Sequence, residues 1–432
     1  MSAAGGTASR QRLPGGLRAP DARGGPDARR GSDAGRGPDA RLGPDVQRGL
    51  AARLGRGARR AAGATLVLAL AGCGSFWPWS GPQKPPMPPP PEVSAPVAAR
   101  AAWTTRVGPA GVGFAPVVVG DSVFVASSDG RVARLEAATG RTQWQVDLGR
   151  KLTGGVGSDG DRVIVASRDG SLTALDGNGR QVWSVPLGAE AVTVPSVGLG
   201  LVMVRTSDNR ISAFESDSGK RRWTFQRQMP PLVLRQTGAI AIAPGTAFAG
   251  LPGGRIVALG LQNGAVRWEA SVSQPRGATE IERIADVVGS PLVSGREVCA
   301  ASYQGRVACF EAASGRQLWS RDVSSSTGLD VDARLVSIVD DRDQVHAFSR
   351  SGASVWRQDK LSRREVSAPL SLGPVLVVGD AKGLVYLVSR DDGAIAGRFP
   401  TDGTAIASAP VAAGRMAIVQ TTGGTIAAVE LQ

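Results

Sequence analysis

The stretch DGRVARLEAATGRTQW, which runs from Asp129 to Trp144, recurs along this chain in recognisably similar copies. The clear copies are DGSLTALDGNGRQVW (169–183), DNRISAFESDSGKRRW (208–223), GGRIVALGLQNGAVRW (253–268) and QGRVACFEAASGRQLW (304–319); weaker ones occupy 342–356, 382–397 and 423–432. The hairpin position, Gly130 in the first copy, returns after 40, 39, 45, 51, 38, 40 and 41 residues, the period of propeller blades. Eight copies predict an all-β fold, an eight-bladed β-propeller.

Each copy contains the signals for four antiparallel strands. Asp-Gly or its equivalent marks a tight hairpin, because glycine tolerates the positive φ of such turns, and a second glycine marks the turn four residues before the tryptophan. A proline stands 14 residues ahead of the hairpin position in five copies: Pro116, Pro195, Pro291, Pro369 and Pro410. Proline cannot donate to a strand ladder, so these residues are predicted to lie on an edge strand, the innermost of each blade.

The two ends of the repeat region complement each other. The last copy, 423–432, stops after its third strand, whereas residues 103–107 look like a fourth strand with no hairpin before it. Pairing the two would close the ring and remove exposed sheet edges. Residues 101–432 are therefore predicted to form one propeller closed by its own N-terminal strand.

The net charge of +13 is concentrated near the start of the chain. Residues 1–60 contain 13 Arg and 5 Asp, which leaves 37 basic and 32 acidic residues in the remainder. No basic stripe with interleaved aromatic residues occurs in the repeats, which argues against a nucleic-acid-binding protein. Residues 1–52, loose hexads of Gly, Pro, Ala, Asp and Arg, are predicted to be a disordered leader, or an untranslated segment if the start lies near Val46 or Leu54.

Residues 53–73 have the pattern of a bacterial lipoprotein signal peptide. Four arginines precede an apolar stretch over 61–72, which is too short to span a bilayer. The sequence LAGC over 70–73 matches the lipobox, which implies that Cys73 is acylated and becomes the mature N-terminus. Gly74 stands where an Asp would resemble the inner-membrane retention signal, so the outer membrane is the expected destination. The alternative is an ordinary secretory signal in which Cys73 is incidental.

Residues 74–100 are predicted to be a proline-rich tether. The run Pro88–Pro91 favours an extended polyproline II conformation of roughly 3.1 Å per residue. A ligand segment for an SH3-type domain is the alternative, but a spacer fits a lipoprotein better. Trp77 and Trp79 are expected at the lipid headgroups.

The repeats offer few residues for catalysis. The single histidine, His346, argues against a metal cluster or a Ser-His-Asp triad and is predicted to be structural. Cys299 and Cys309 are expected to face each other across a hairpin, where a disulfide and two buried thiols both fit. The recurring tryptophans are predicted to pack between blades rather than stack on a ligand. We therefore expect no cofactor and no metal.

The repeats resemble the pyrroloquinoline-quinone-type propeller repeat, and with the lipobox they resemble the BamB family of lipoproteins of the outer-membrane β-barrel assembly machinery. The segment MPPLVLR (229–235) resembles the family's MP-x-L-x-LR, and residues 273–287 resemble its SQ…TEI-[DE]-R-x-x-DV segment. In the family these loops dock on the periplasmic domains of the barrel-inserting subunit BamA. The resemblance implies a scaffold that holds BamA and assists the insertion of outer-membrane proteins.

Four residues carry over by position as candidate contacts with BamA: Leu232, Leu234, Arg235 and Asp286. A second acidic residue of the family pattern is replaced here by Val288. Independently, the repeat spacings of 45 and 51 place extra loop on both sides of the fourth blade, and exposed loops of a rigid scaffold concentrate function. Leucines followed by arginine are also typical of interface hot spots. On the residues alone, leucines that begin an inner strand fit equally well.

Two other functional classes share the repeat or the anchor. Quinoprotein dehydrogenases resemble one another in an adjacent-cysteine disulfide, a Ca²⁺ site and a catalytic Asp, but this chain has neither adjacent cysteines nor a haem motif. The second class is a propeller lipoprotein that binds peptidoglycan or polysaccharide, and no residue in the sequence specifically indicates that function. The family resemblance leaves open that edge strands bind unfolded outer-membrane proteins by β-augmentation. The sequence thus favours a scaffold that is not an enzyme.

Overall fold

The computed structural model describes residues 85–94, 97–111, 113–228, 230–234 and 238–431. Strands and turns make up the regular structure of these residues, and none of them forms a helix long and apolar enough to cross a bilayer. The predicted leader, the signal peptide with Cys73, and Arg235 lie outside the described residues.

Eight antiparallel sheets of four strands form the blades. The first strand is β1 (Ala99–Arg106), and blades one to four contain β2 (Val117–Val119), β3 (Ser122–Ala126), β4 (Arg131–Glu136), β5 (Thr142–Asp147); β6 (Leu152–Ser158), β7 (Arg162–Ser167), β8 (Ser171–Asp176), β9 (Gln181–Pro186); β10 (Ser196–Gly198), β11 (Leu201–Arg205), β12 (Arg210–Glu215), β13 (Arg221–Gln226); and β14 (Ala241–Ala243), β15 (Thr246–Leu251), β16 (Arg255–Gly260), β17 (Val266–Ser271). Blades five to eight contain β18 (Val287–Ser294), β19 (Glu297–Ser302), β20 (Val307–Glu311), β21 (Gln317–Arg321); β22 (Leu329–Val331), β23 (Leu335–Val339), β24 (Val345–Ser349), β25 (Ser354–Gln358); β26 (Leu370–Leu372), β27 (Val375–Gly379), β28 (Leu384–Ser389), β29 (Ile395–Pro400); and β30 (Val411–Ala413), β31 (Met416–Gln420), β32 (Thr425–Leu431).

The first strand closes the ring as predicted. Strand β1 pairs antiparallel with β32, with Arg106 opposite Thr425 and Ala99 opposite Leu431, and so becomes the fourth strand of blade eight. It begins at Ala99, slightly before the predicted start of the propeller at 101. Closure leaves no blade with a missing outer strand.

Six of the eight inner strands contain three residues, whereas β6 contains seven and β18 contains eight. Pro116, Pro195, Pro369 and Pro410 each stand directly before the innermost strand of their blade, while Pro291 lies within β18. Proline lacks the N–H that a longer ladder would need at this edge. The prolines were predicted to lie on the innermost strand; only Pro291 does so, and the other four lie one residue before it.

The tryptophans join neighbouring blades at seven of the eight junctions. Trp103 of β1 donates from Nε1 to the carbonyl oxygen of Ala137 over 2.8 Å, and its ring lies against Gly140 of blade one. The same donation, over 2.8–2.9 Å, is made by Trp144, Trp183, Trp223, Trp268, Trp319 and Trp356. Gly140 has a φ of +69°, and a Cβ there would lie 2.3 Å from Trp103 Cε3, so the turn requires glycine. The prediction of packing between blades is confirmed.

The apolar core lies between successive sheets. Met203 and Ile211 of blade three, for example, pack with Ala249 and Val257 of blade four, and all four are buried. The second strand of each blade is apolar at most positions because neighbouring blades cover both of its faces. The resulting ring is a rigid support for its loops.

The structure defines the state of the two cysteines and the partners of the single histidine. Cys299 and Cys309 lie directly opposite each other on β19 and β20 and form a disulfide, with Cα atoms 4.1 Å apart. His346 Nε2 lies 2.9 Å from Asp340 Oδ2, and its ring stacks on Phe348. His346 therefore has structural partners within its own blade.

Candidate functional site

One face of the propeller carries the connections between blades. Each connection from a fourth strand to the next first strand emerges on the same face as the turns between second and third strands, as the bond from Ser128 N to Pro109 O shows. We call this the loop face. Its two longest connections, 227–240 and 272–286, flank blade four, as the repeat spacings predicted.

Leu232 and Leu234 belong to the first of these connections, not to a strand. The inner strand β14 begins only at Ala241, so the alternative that the leucines begin an inner strand is wrong. Leu232 is exposed, at 42% of its surface, whereas Leu234 packs against the core of blade five, which includes Val288 and Trp319. The two leucines therefore have different roles.

Asp286 lies beneath the loops rather than at the surface. Only 1% of it is exposed; its Oδ2 accepts a hydrogen bond from Leu234 N over 2.6 Å, and its Oδ1 accepts one from Gly253 N over 2.8 Å. Its carbonyl oxygen accepts a third bond from Tyr303 N. Asp286 thus ties the first connection to turns of blades four and five.

Arg205 provides the positive charge near this buried carboxylate. It is buried on β11 and donates from Nη1 to Gly250 O of the next blade over 2.5 Å. Burial lowers the pKa of Arg205 to about 10, and the charge of Asp286 acts in the opposite sense. Burial likewise raises the pKa of Asp286, although the Gly253 and Leu234 amides and the charge of Arg205 favour its ionised form.

The second connection is shaped by a capping box. Glu282 Oε2 accepts hydrogen bonds from Ala278 N and Thr279 N, and Thr279 Oγ1 accepts one from Glu282 N. The side-chain amide nitrogen of Gln304, oriented to satisfy its neighbours, lies 3.0 Å from the carbonyl oxygen of Ile284 and closes the other end of the turn. The turn presents Ile281, which is 66% exposed.

A cavity of about 520 Å³ opens beside the first connection. Pro230 and Pro252 line one part of it, and Arg227, Arg255 and Glu269 line another. Glu269 pairs with Arg227 over 2.5 Å and with Arg255 over 2.8 Å. The cavity is thus bordered by apolar rings and by an ion-paired cluster with one excess positive charge.

The family model described as outer membrane protein assembly factor BamB matches residues 95–147, 128–358 and 344–432. The chain is 40% identical over 368 residues to the assembly factor BamB of Bordetella pertussis, covering 84% of this chain and 94% of that protein. It is 43% identical over 327 residues to BamB of Burkholderia pseudomallei, covering 75% and 86% of the two chains. The chain belongs to the BamB family. This membership places it among the assembly factors of the outer membrane.

Solved structures give the same result for the fold. The crystal structure of BamB from Moraxella catarrhalis superposes with a TM-score of 0.71 at 27% identity, covering 77% of this chain and all of that one. A quinohemoprotein alcohol dehydrogenase from Comamonas testosteroni superposes with a TM-score of 0.60 at 15% identity, covering 77% and 76%. The second likeness shows the fold alone.

Four residues in or beneath the two long connections were not predicted as site residues. Ile281 and Glu282 stand within a T-x-x-E signature, which predicts a capped turn and would have identified both. Arg205 occupies a repeat position that holds Ala126, Ala166 and Gly250 in other copies. A charged residue at this position indicates a special role for Arg205. Gln304 carried no such signal, because its partners lie on a different connection.

Proposed function

We propose that this chain is a non-catalytic scaffold of the outer-membrane β-barrel assembly complex that binds the periplasmic domains of BamA through residues 230–235 and 273–286. The observation that carries the proposal is the arrangement of the two longest connections. Both lie on the loop face, and each presents an exposed apolar side chain, Leu232 or Ile281. Apolar anchors on a rigid support are typical of binding hot spots.

The proposed contacts divide into direct and supporting residues. Leu232 and Ile281 contact BamA directly, and Arg235, by its position after the leucines, pairs with an acidic group. Leu234 and Asp286 act through the loop, because Asp286 is buried and bonds to the Leu234 amide. Asp286 therefore serves as a positioning residue rather than as the surface contact that the sequence suggested.

The cavity beside Pro230 supports the same surface. It adjoins the first connection, and its proline rings provide apolar area for a partner side chain. The excess positive charge at Arg227 and Arg255 favours an acidic neighbour on that partner. An apolar anchor flanked by a carboxylate is the expected complement on BamA.

Recovery of BamA with tagged protein tests the proposed interface. We expect Leu232→Ala and Ile281→Ala each to lower recovery, and Leu232→Ala combined with Arg235→Ala to lower it at least tenfold. Leu318→Ala is a matched control, because Leu318 is similarly exposed, at 37%, but lies on the outer strand β21. Undiminished recovery with the double variant of Leu232 and Arg235 would exclude this interface, provided that the variant remains folded by circular dichroism.

The proposal includes a lipid anchor at Cys73. The lipobox over 70–73 supports it, and family membership supports association with the outer membrane. We expect radiolabelled palmitate to be incorporated into the natural chain and not into Cys73→Ser, and only the natural chain to fractionate with the outer membrane. Equal labelling of both proteins would exclude acylation at Cys73.

The scaffold role also includes the absence of catalysis. The relatives that share 40% and 43% identity are assembly factors, whereas the dehydrogenase likeness rests on the fold. We expect no reduction of a redox dye after addition of quinone cofactor, Ca²⁺ and a primary alcohol. Turnover above that of a heat-denatured sample would assign the chain to the enzymes.

A further inference from the structure

Residues 85–94, which we call the strap, lie along the outer edge of blade seven. The Pro88 carbonyl accepts a hydrogen bond from Arg364 at the loop face, the Pro91 carbonyl lies 3.5 Å from Arg398 Nη1, and Ser94 N donates to Ile395 O over 2.9 Å. Ile395 begins β29 at the opposite face, so the strap runs antiparallel to this strand. The proline-rich segment is thus docked on the propeller.

The repeat sequence makes room for this segment at one junction. Gly397 of blade seven occupies the repeat position that is tryptophan in blades one to six. A Cβ at Gly397 would lie 3.1 Å from the carbonyl oxygen of Val97, and the Val97 side chain packs in the core between blades seven and eight. Val97 N also donates to Ala396 O over 2.6 Å. The chain after the strap therefore takes the place of the missing tryptophan.

Arg364 is built to hold the other end of the strap. It is 1% exposed, and its Nε and Nη2 both donate to Asp380 Oδ2, over 2.9 and 2.6 Å. Tyr386 also donates to this oxygen, and the guanidinium lies over the Tyr386 ring. Its Nη1 donates to the Pro88 carbonyl, so the strap satisfies the remaining face of a buried cation.

We propose that the strap fixes the orientation of the propeller relative to the membrane, with the loop face toward the bilayer. This inference rests on the proposed function, in which Cys73 is acylated and the loop face binds BamA. The strap holds the chain at Pro88 on the loop face; without it, the tether would leave the domain near Val97 on the opposite face. Residues 74–84, which the sequence predicts to be part of the tether, would then connect Cys73 to the loop face.

Energy transfer to a membrane acceptor tests the orientation. The lipidated full-length chain is bound to phosphatidylethanolamine–phosphatidylglycerol vesicles that contain a rhodamine-labelled lipid, with a donor dye on Lys382→Cys or Ala333→Cys. Lys382 is exposed on the loop face of blade seven, and Ala333 is exposed on the opposite face of blade six. Cys299 and Cys309 are disulfide-bonded, so the introduced thiol is the one that reacts. We expect at least twofold greater transfer from position 382.

Replacement of the strap provides the decisive comparison. Exchange of residues 85–94 for a Gly-Ser segment of equal length should abolish the difference between the two positions, whereas the same exchange of residues 74–84 should retain it. Equal transfer in the natural chain, or a difference that survives replacement of the strap, would overturn the proposal. Ring closure by β1 does not involve residues 85–94, so the replaced protein should remain folded.

Two further measurements separate this proposal from the proposed function. In detergent, where no bilayer orients the protein, the strap replacement should recover BamA at the natural level. Leu232→Ala combined with Arg235→Ala should lose BamA and keep the transfer difference between positions 382 and 333. Undiminished recovery of BamA by this double variant, with the transfer difference intact, would contradict the interface alone. Hydrogen exchange should show slow amides at Ser94 and Val97, and Arg364→Lys, which retains the charge beside Asp380, should accelerate exchange at Ser94 at least tenfold. Fast exchange at both amides in the natural chain would show that the strap is not docked.

Discussion

The carboxylate of Asp286 accepts a hydrogen bond of 2.6 Å from the backbone amide of Leu234, 52 residues earlier in the chain. The second oxygen of the same carboxylate accepts the Gly253 amide, so one buried side chain sets the position of the exposed Leu232 loop. A buried residue therefore sets the position of a side chain that is proposed to contact BamA.

Asp286→Asn tests this indirect control. The substituted amide presents an NH2 donor group where a carboxylate oxygen now accepts, so either the Leu234 or the Gly253 amide loses its partner. We expect the free energy of unfolding in urea to fall by about 1–3 kcal/mol and recovery of BamA to fall as well. Asp217→Asn, at an exposed ion pair with Arg162, should change neither by a comparable amount. Natural BamA recovery with Asp286→Asn would mean that the loop holds its position without this bond.

Gly140→Ala tests the junction between blades eight and one. Its Cβ would meet the Trp103 ring at 2.3 Å in a left-handed backbone conformation. Gly149→Ala is the matched control, because Gly149 has a similar φ of +65° but no atom within 4 Å of the added Cβ. The control isolates backbone strain of about 1 kcal/mol, and we expect Gly140→Ala to lower the free energy of unfolding by about 1–3 kcal/mol more. Equal losses of stability in Gly140→Ala and Gly149→Ala would show that the Trp103 side chain moves aside at no energetic cost.

Reduction of the Cys299–Cys309 disulfide should destabilise blade five. The bond closes a short loop, with a sequence separation of 10, and a cross-link of this size stabilises by about 2–3 kcal/mol. We expect a lower urea midpoint after treatment with a phosphine reductant, and no response to the reductant in a variant with both cysteines replaced by alanine. An unchanged midpoint, with free thiols confirmed by mass spectrometry after alkylation, would contradict this expectation.

Asp402 lies in the connection between blades seven and eight and should make the free energy of unfolding sensitive to acid. Burial opposes its ionisation, but hydrogen bonds from Thr404, Thr425 and Thr421 lower the pKa of Asp402 from 3.8 to about 2. Because the folded pKa is depressed, the stabilisation is complete above about pH 4 and is lost as the pH falls toward 2. We expect Asp402→Asn to be less stable than the natural chain at pH 6, with the difference shrinking between pH 4 and 2. A difference that stays constant over this range would rule out the carboxylate as its source.

The candidate site was predicted in part. The spacing of the repeats located both long connections, and the family motifs identified Leu232, whose exposure agrees with a contact. The same motifs suggested a surface role for Asp286, which is buried, because sequence position does not reveal how deep a loop residue lies. Ile281 was overlooked although its capping box was readable. Gln304 was not predictable, since its bonds cross from one blade to the connection before it.

The sequence by itself determined the number of blades, the closing strand and the tryptophan junctions. These features repeat locally, and turn chemistry, proline position and apolar patterning recur at a fixed period in the chain. Only the tertiary structure decided that Asp286 lies beneath Leu234, that Cys299 bonds to Cys309, and that Arg364 holds the strap through the Pro88 carbonyl. Each of these contacts occurs once, so the repeat pattern does not reveal it. One hairpin brings Cys299 to Cys309, the packing of blade four against blade five brings Asp286 to Leu234, and closure of the ring by β1 places the strap beside Arg364.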